Sequence, residues 1–296
     1  MRVAVTGGGG QLGGELCRQW GEAAAPLDLP EFDLLDAQAV RRVLLELRPQ
    51  AVVNTAAYTA VDRAEEVEML CCAVNAEAVR TLAGVSRELG CPLVQISTDY
   101  VFGRDMARER PYREEDEPGP LGVYGQSKLA GEVEAAAWEE HLIVRTCGLY
   151  GRRGPRTSGS SFAETMLRLA SEGKPLRVVD DQHCTPTYVP HVAGALRWLV
   201  EQGARGTYHV VNTGATTWHD FAVELFRQAG QAASIERIST AQYGARAPRP
   251  LYSLLDTGKY QASGGPAMPS WQEAVGEYLA SRGEQEEGLA GGAKSG

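Results

Sequence analysis

Tyr124 stands four residues before Lys128 in the stretch VYGQSK, directly after a proline- and glycine-rich loop, PGPLGVYG. On a helix, that spacing puts both side chains on one face, one turn apart. An ordinary tyrosine has a pKa of about 10, and a close ammonium favours its phenolate form. A tyrosine tuned in this way can hand a proton to a carbonyl oxygen while hydride arrives at the carbon. The ammonium can also hold the ribose of a nicotinamide. A third donor is expected at the carboxyl end of a neighbouring strand, where the sites of α/β proteins open. ISTDYVFG supplies Ser97, Thr98 and Asp99 at such an end.

A second constellation stands at the start of the chain. VTGGGGQLG contains Thr6-Gly7-x-x-Gly10-x-x-Gly13, directly after a strand-like run and opening a helix-like one. Glycines are needed there because the turn is tight and the backbone must approach a pyrophosphate, with the helix N-terminus facing the anion. Asp28 follows 21 residues after Gly7, at the end of the second strand, where an acid binds an adenosine ribose hydroxyl. No arginine stands right behind it to receive a 2′-phosphate, so NADPH and NADH both stay open as cofactors.

The elements that position these groups are legible as alternation. RVAVT (2–6) reads as a strand and QLGGELCRQW (11–20) as a helix. PLDL (26–29) reads as a weak strand, and DAQAVRRVLLEL (36–47) as a helix with Asp36 as N-cap. AVVNTAA (51–57) is a buried strand, and about 65–89 a long helix closed by Gly90. PLVQIST (92–98) and HLIVRT (141–146) are strands flanking a helix over about 124–139. Nearly continuous apolar strand runs alternating with helices predict an α/β fold, a Rossmann-like doubly wound parallel sheet covered on both faces.

After residue 150 the rhythm loosens. GRRGPRTSGSS is a basic, glycine-rich loop, LRVVD and TYHVVN look like strands, and TTWHDFAVELFRQ looks like a capped helix. RAPRPLYSLLD is proline-rich and expected to be extended. The reading is a dinucleotide-binding domain over 1–150 and a smaller C-terminal substrate-binding lobe over 151–282, some of whose segments return to the first domain. The tail 283–296, GEQEEGLAGGAKSG, has no periodicity and is expected to be disordered.

Bulk numbers narrow the partners. A formal net charge of −9 opposes nucleic acid and anionic membrane as partners, because both need a basic face. It does not oppose an anionic small ligand. No apolar run is long enough to span a bilayer, and MRVAVTG enters a strand at once, so no signal peptide is expected. Six scattered cysteines without a Cys-x-x-Cys pair read as reduced thiols of a cytoplasmic protein. The five histidines show no metal-ligand spacing, and no metal is expected.

Together the glycine turn, Ser-Thr-Asp and Tyr-x-x-x-Lys form the pattern of the extended short-chain dehydrogenase/reductases. VVNTAAYTAVDRAE, ISTDYVFG, VYGQSKLAGE, FAETMLRLA, TPTY and RPLYSLLD further resemble the dTDP-4-dehydrorhamnose reductase family, from residue 1 to about 282. The resemblance implies Thr98, Tyr124 and Lys128 as the catalytic set. It implies a cofactor lining of Gly7, Gly10, Gln11, Leu12, Gly13, Asp28, Asp33, Leu34, Ala56, Ala57 and Thr59, joined by Tyr124 and Lys128. It sets Val61, Asp99, Tyr100, Gly148 and Arg249 toward a nucleotide-sugar. The implied reaction is NAD(P)H-dependent reduction of a nucleotide-linked 4-keto-6-deoxysugar, dTDP-4-dehydro-L-rhamnose first.

The similar sugar 4,6-dehydratases carry Thr-Asp-Glu, whose acid pair eliminates water; here the third position is Tyr100, which favours simple ketone reduction. Two departures fall on the substrate side. Arg145-Thr146-Cys147-Gly148 stands where the family commonly has Arg-Thr-Ser-Trp, and Arg249-Pro250-Leu251-Tyr252-Ser253 where it has Arg-Pro-x-Asn-Ser. The first reads as a missing aromatic platform, with Tyr252 a candidate to fill the gap. The family's magnesium-linked homodimer involves an acid that matches Glu15, which reads equally as a solvated helix face. Two alternatives remain: a non-catalytic NADP-binding regulatory subunit of the methionine adenosyltransferase type, and a nucleotide-sugar epimerase.

Overall fold

The computed structural model describes residues 1–152, 154 and 161–292, and of 284–292 the backbone only. Most of the loop GRRGPRTSGSS and residues 293–296 lie outside the described residues.

The first half alternates as expected. β1 (Val3–Thr6) leads through the glycine turn into α1 (Gln11–Trp20). Then follow β2 (Ala24–Leu27), α2 (Ala37–Leu47) and β3 (Ala51–Asn54). The short α3 (Val61–Ala64) precedes a broken helix: α4 (Glu68–Cys72), a π-helical turn (Ala73–Glu77) and α5 (Ala78–Leu89). β4 (Leu93–Thr98), α6 (Val123–Ala136) and β5 (His141–Thr146) complete it. Asp36 caps α2, its carboxylate accepting from the amides of Gln38 and Ala39, and Gly90 closes α5 at φ 66°.

The second half is more broken. β6 (Leu149–Tyr150) is followed by α7 (Phe162–Ser171), β7 (Leu176–Val179), β8 (His183–Cys184) and β9 (Thr187–Tyr188). α8 (Val189–Glu201), β10 (Gly206–His209), β11 (Thr216–Thr217) and α9 (Trp218–Ala229) come next. β12 (Ile235–Ile238), α10 (Thr240–Tyr243), α11 (Gly258–Ala262) and α12 (Trp271–Gly292) end the chain.

One parallel sheet of six strands, in the order β10-β5-β4-β3-β1-β2, organises the molecule. β1, β3 and β4 are buried along their whole length, because helices cover both faces. One face packs Leu12, Leu16 and Trp20 of α1 with Val192, Leu196 and Leu199 of α8. The other packs Val40 and Leu44 of α2 with Val79 and Leu82 of α5. Strand order reverses between β1 and β3, so a crevice opens at the carboxyl ends of those strands. A separate core of Tyr150, Leu167, Phe221, Leu225, Trp271 and Tyr278 lies among α7, α9 and α12.

Three expectations need correcting. β2 starts two residues early, because AAPL pairs with β1 from Val3↔Ala24 to Thr6↔Leu27, and Asp28 becomes the first residue beyond it. The helix expected over 65–89 begins at Glu68 and is interrupted by the π turn. TYHVVN supplies β10, a segment of the second half that returns to the edge of the main sheet beside β5. The tail expected to be disordered from residue 283 is helical as far as Gly292. It continues a helix already nucleated at Trp271, and extension costs far less than nucleation. No helix among the described residues is long and apolar enough to cross a membrane.

Candidate active site

The glycine turn lies at the mouth of the crevice, and at Gly7 and Gly13 its geometry admits no side chain. Gly7 has φ +68°, and a Cβ there would stand 2.7 Å from the Ala56 nitrogen. A Cβ on Gly13 would stand 2.2 Å from the Gly7 carbonyl oxygen. The Gly10 amide donates to Gly7 O at 2.9 Å, closing the turn. Asp28 reaches it from the end of β2, accepting from the Gly9 amide at 2.7 Å and from Leu29 N at 2.8 Å. Gln11 donates to Gly151 O at 3.0 Å, and Leu12 is buried in the core below. Ala56 and Ala57 are half-buried beyond β3, and Thr59 is exposed. Asp33 and Leu34 sit in the loop before α2; Asp33 is exposed and accepts from Leu35 N, while Leu34 packs against the core.

Thr98 is the last residue of β4, and Tyr124 and Lys128 lie one turn apart on α6, which packs against β4. The start of α6 is fixed from outside: Glu65 accepts from the Val123 amide at 2.8 Å. Gly125 lets the helix approach the turn after β4, since a Cβ would stand 2.3 Å from Tyr100 O. The Thr98 hydroxyl faces the Tyr124 phenol, and the Tyr100 ring stands edge-on to Tyr124 at 6.0 Å. Lys128 is 3 % exposed and donates to Ile96 O at 2.6 Å.

These surroundings alter the expected tuning. Burial pushes the Tyr124 phenol well above the usual tyrosine range, with Thr98 opposing. Burial also lowers Lys128 to about 8, against the pull of Glu132 one turn away. Burial therefore leaves Tyr124 a proton-bearing phenol and not an ammonium-stabilised phenolate, and Lys128 turns to a carbonyl instead. A carbonyl reduction needs that form, since the tyrosine must give a proton.

On the far side of Tyr124, a narrow cleft is lined by Val61, Tyr100, Gly122, Pro248 and Pro250. Arg249 is held there by Asp62, with N–O distances of 3.0 and 2.8 Å. Asp99, 2 % exposed, turns away from the cleft and accepts from Ser253 Oγ at 2.6 Å. Gly148 leaves no gap: a Cβ there would stand 2.8 Å from Cη2 of Trp218. Trp218, and not Tyr252, lies against it, while Tyr252 stands edge-on to Tyr112 and tilted to His183. All six cysteines are free thiols. Among the described residues, one group of side chains has metal-holding spacing, Asp180, His219 and Asp220. Arg237 already pairs with both acids, at 2.8 and 3.1 Å. Glu15 accepts from Arg18 and Gln19 of its own helix.

The family described as RmlD substrate binding domain matches residues 1–283. A dTDP-4-dehydrorhamnose reductase of Streptomyces griseus is 42% identical over 287 residues, covering 93% of this chain and 92% of that one. This chain belongs to the dTDP-4-dehydrorhamnose reductase family. The Escherichia coli (strain K12) member is 35% identical, covering 94% of this chain and 97% of its own. The solved Bacillus anthracis dTDP-4-dehydrorhamnose reductase in complex with NADP superposes with a TM-score of 0.89 at 37% identity, over 95% of this chain and 99% of that one. A Thermus thermophilus UDP-glucose 4-epimerase, at 24% identity and a TM-score of 0.81, shares the fold.

Within this reductase family member, several positioning residues escaped the sequence reading. Asn75, in the π turn, binds both the amide and the carbonyl of Tyr58 and donates to Ser127 Oγ at 2.9 Å, tying the loop after β3 to α6. A π turn inside a helix often marks a functional position, but nothing local in the sequence announces it. Ser127 sits between Tyr124 and Lys128, where no pattern in the sequence marks it. Glu65 and Ser253 act across long sequence separations, which no periodicity reports. Trp218 was visible only as the first residue of a capped helix.

Proposed function

We propose that the protein reduces dTDP-4-dehydro-L-rhamnose to dTDP-L-rhamnose with NADPH or NADH, in the cytoplasm. The observation that carries this reading is the meeting of a proton-bearing Tyr124 with Thr98 and Lys128 at the carboxyl end of β4, next to the glycine crevice. The family's relatives, named for this reaction, support it. The crevice fits a dinucleotide, because the close approaches at Gly7 and Gly13 leave backbone, and no side chain, at its mouth. When bound, the nicotinamide supplies the hydride that arrives at the sugar's C4.

The chain's residues do the rest. Gly7, Gly10 and the N-terminus of α1 receive the pyrophosphate, and Asp28 stands where a ribose hydroxyl binds. Tyr124 gives its phenolic proton to O4 as the carbonyl becomes an alcohol, and Thr98 orients the phenol that gives it. Lys128, released from Ile96, holds the nicotinamide ribose and offsets the charge left on the phenolate. Tyr100 and Val61 wall the sugar, and Arg249 meets the nucleotide. Tyr100 stands where the dehydratases carry the Glu of their acid pair, and both oxygens of Asp99 are taken by Thr98 and Ser253, so reduction ends the reaction.

The test is consumption of NADPH and of NADH against a panel of nucleotide-linked 4-ketosugars. Turnover with the dTDP-linked rhamnose precursor and product alcohol at C4 is expected. No oxidation of either cofactor with any member of the panel would reject the reading. Protein that purifies with NAD tightly bound and epimerises without net oxidation would replace it by the epimerase.

A further inference from the structure

The proline-rich stretch 246–256 reaches the catalytic set at one buried point. Ser253, 3 % exposed, donates to Asp99 Oδ2 at 2.6 Å, across 154 positions of sequence. The other oxygen, Oδ1, accepts from Thr98 Oγ1 at 3.2 Å. A threonine hydroxyl has one hydrogen and two lone pairs. For Thr98, the hydrogen goes to Asp99 and one lone pair takes the Tyr100 amide at 3.1 Å. One lone pair remains on the hydroxyl, which neighbours the Tyr124 phenol. The orientation of the catalytic hydroxyl is therefore set by the carboxylate behind it, and that carboxylate is held by Ser253.

Ser253 is itself firmly placed. Its amide donates to His183 O at 2.9 Å, while His183 N donates to Leu251 O at 2.8 Å, so 251–253 zips onto β8. Four residues before Ser253, Arg249 pairs with Asp62 beside Val61 of the cleft. The same stretch that lines the sugar cleft thus also orders the proton-transfer set. Titratable groups around Asp99 are Cys147 at the end of β5 with Cys184 behind it, Tyr100 on its own turn and Tyr124 on α6. With its two oxygens bound by hydroxyls and the thiol of Cys147 beside it, Asp99 has no face open to the sugar.

We propose that Asp99 is a positioning residue that latches Ser253 of the proline-rich stretch to Thr98, so that seating of this stretch over the sugar sets the direction of the Thr98 hydroxyl and of the Tyr124 phenol. The latch rests on the reductase reading and goes beyond it. It differs from a substrate contact in what it affects: proton transfer, and not sugar affinity.

The experiment measures kcat and both KM values for the full-length wild type, Ser253→Ala, Ser253→Thr, Asp99→Ala, Asp99→Asn and the double alanine variant. Ser253→Ala is expected to lower kcat on the order of tenfold, the scale of one buried hydrogen bond, with either KM changed less than about twofold. Ser253→Thr keeps the hydroxyl and should restore kcat. Asp99→Asn keeps an acceptor for Thr98 and should exceed Asp99→Ala. The double variant should be no slower than Asp99→Ala alone, because both changes break one chain. An unchanged kcat in Ser253→Ala, or a raised sugar KM at unchanged kcat, overturns the latch while an active wild type upholds the reductase. If Asp99→Ala does not fold, the Ser253 pair decides. An inactive wild type overturns the functional reading and the latch with it.

Discussion

At the scale of single residues, the site is tuned by removal from water. Tyr124 keeps its proton because burial disfavours the phenolate, and a phenol that keeps its proton can deliver it. Tyr124→Phe should therefore lower kcat by about 10²–10⁴-fold with NADPH binding nearly unchanged, as read by steady-state rates and cofactor fluorescence. Retention of wild-type turnover would remove Tyr124 from its role. Lys128 carries the opposite burden, its pKa falling from 10.5 to about 8 because its charge is buried. Below about pH 8 both folded and unfolded chains hold this proton, and the folded state bears the full cost of the buried charge. Between about 8 and 10.5 the unfolded chain holds it and the folded chain does not, so stability from this group rises with pH. Lys128→Met should thus stabilise the cofactor-free protein at pH 7 by roughly 2 kcal/mol after the lost Ile96 hydrogen bond, while abolishing turnover. The gain should fade as pH approaches 10.5 in denaturant melts; a gain independent of pH would rule out the buried charge as its source. Gly148 answers differently from what its sequence suggests. Its φ is +51°, and any Cβ meets Trp218 at 2.8 Å and Pro186 Cα at 3.2 Å. Gly148→Trp, which restores the family's aromatic, should cost about 1–3 kcal/mol and gain no kcat/KM. An increase in kcat/KM at unchanged melting temperature would show that Trp218 yields.

At the scale of elements, α6 must be held in register against β4 and β5 for Tyr124 to meet Thr98. Arg145 of β5 and Glu132 of α6 do this through a bidentate pair at 2.9 and 2.7 Å, both about 5 % exposed. Arg145 also lies over the Phe102 ring at 5.1 Å and contacts His209 of β10, whose pKa falls to about 3 through burial and the guanidinium. Glu132→Gln leaves that guanidinium buried without its charge partner, and should destabilise by about 3–5 kcal/mol in urea melts. A loss under about 1 kcal/mol would mean that water or another acid replaces Glu132. The elements themselves were largely legible, because parallel strands covered on both faces leave unbroken apolar runs and helices leave caps such as Asp36 and Gly90. What stayed hidden were contacts between elements. Thr6, Asn54 and Gln95 look like polar faults in their strands, yet they form a buried chain of side-chain bonds at 2.5 and 2.7 Å across β1, β3 and β4. Asn75 and Ser127 likewise gain meaning only once α6 lies beside the π turn.

At the scale of the whole molecule, the sheet with its two packed faces and the separate core among α7, α9 and α12 are joined by a chain that crosses between them repeatedly. α8 and β10 leave the second half to cover and extend the main sheet, so sequence order and spatial layer part company after residue 150. A helix after residue 183 packing on α1 has no local signature, since both faces of such contacts are simply apolar. The motifs were legible for the opposite reason: Tyr124, Lys128, Thr98 and the glycines each meet a local steric or chemical demand that few other residues satisfy. A cofactor that spans the crevice binds the folded chain alone, and so it should stabilise the molecule by mass action. At a hundredfold excess over its Kd the expected stabilisation is about 2.7 kcal/mol, a rise of several degrees for a chain of this size. The comparison of NADPH with NADH then reads Asp28. Its carboxylate already braces the Gly9 amide at 2.7 Å, and an acid in this position is expected to pair with a ribose hydroxyl and repel a 2′-phosphate. Asp28→Ala should shrink the rise in melting temperature produced by NADH more than that produced by NADPH, and move the ratio of their kcat/KM values toward NADPH. Equal losses for both cofactors would assign Asp28 to bracing the glycine turn and nothing more, because a slackened turn weakens the pyrophosphate that both cofactors share.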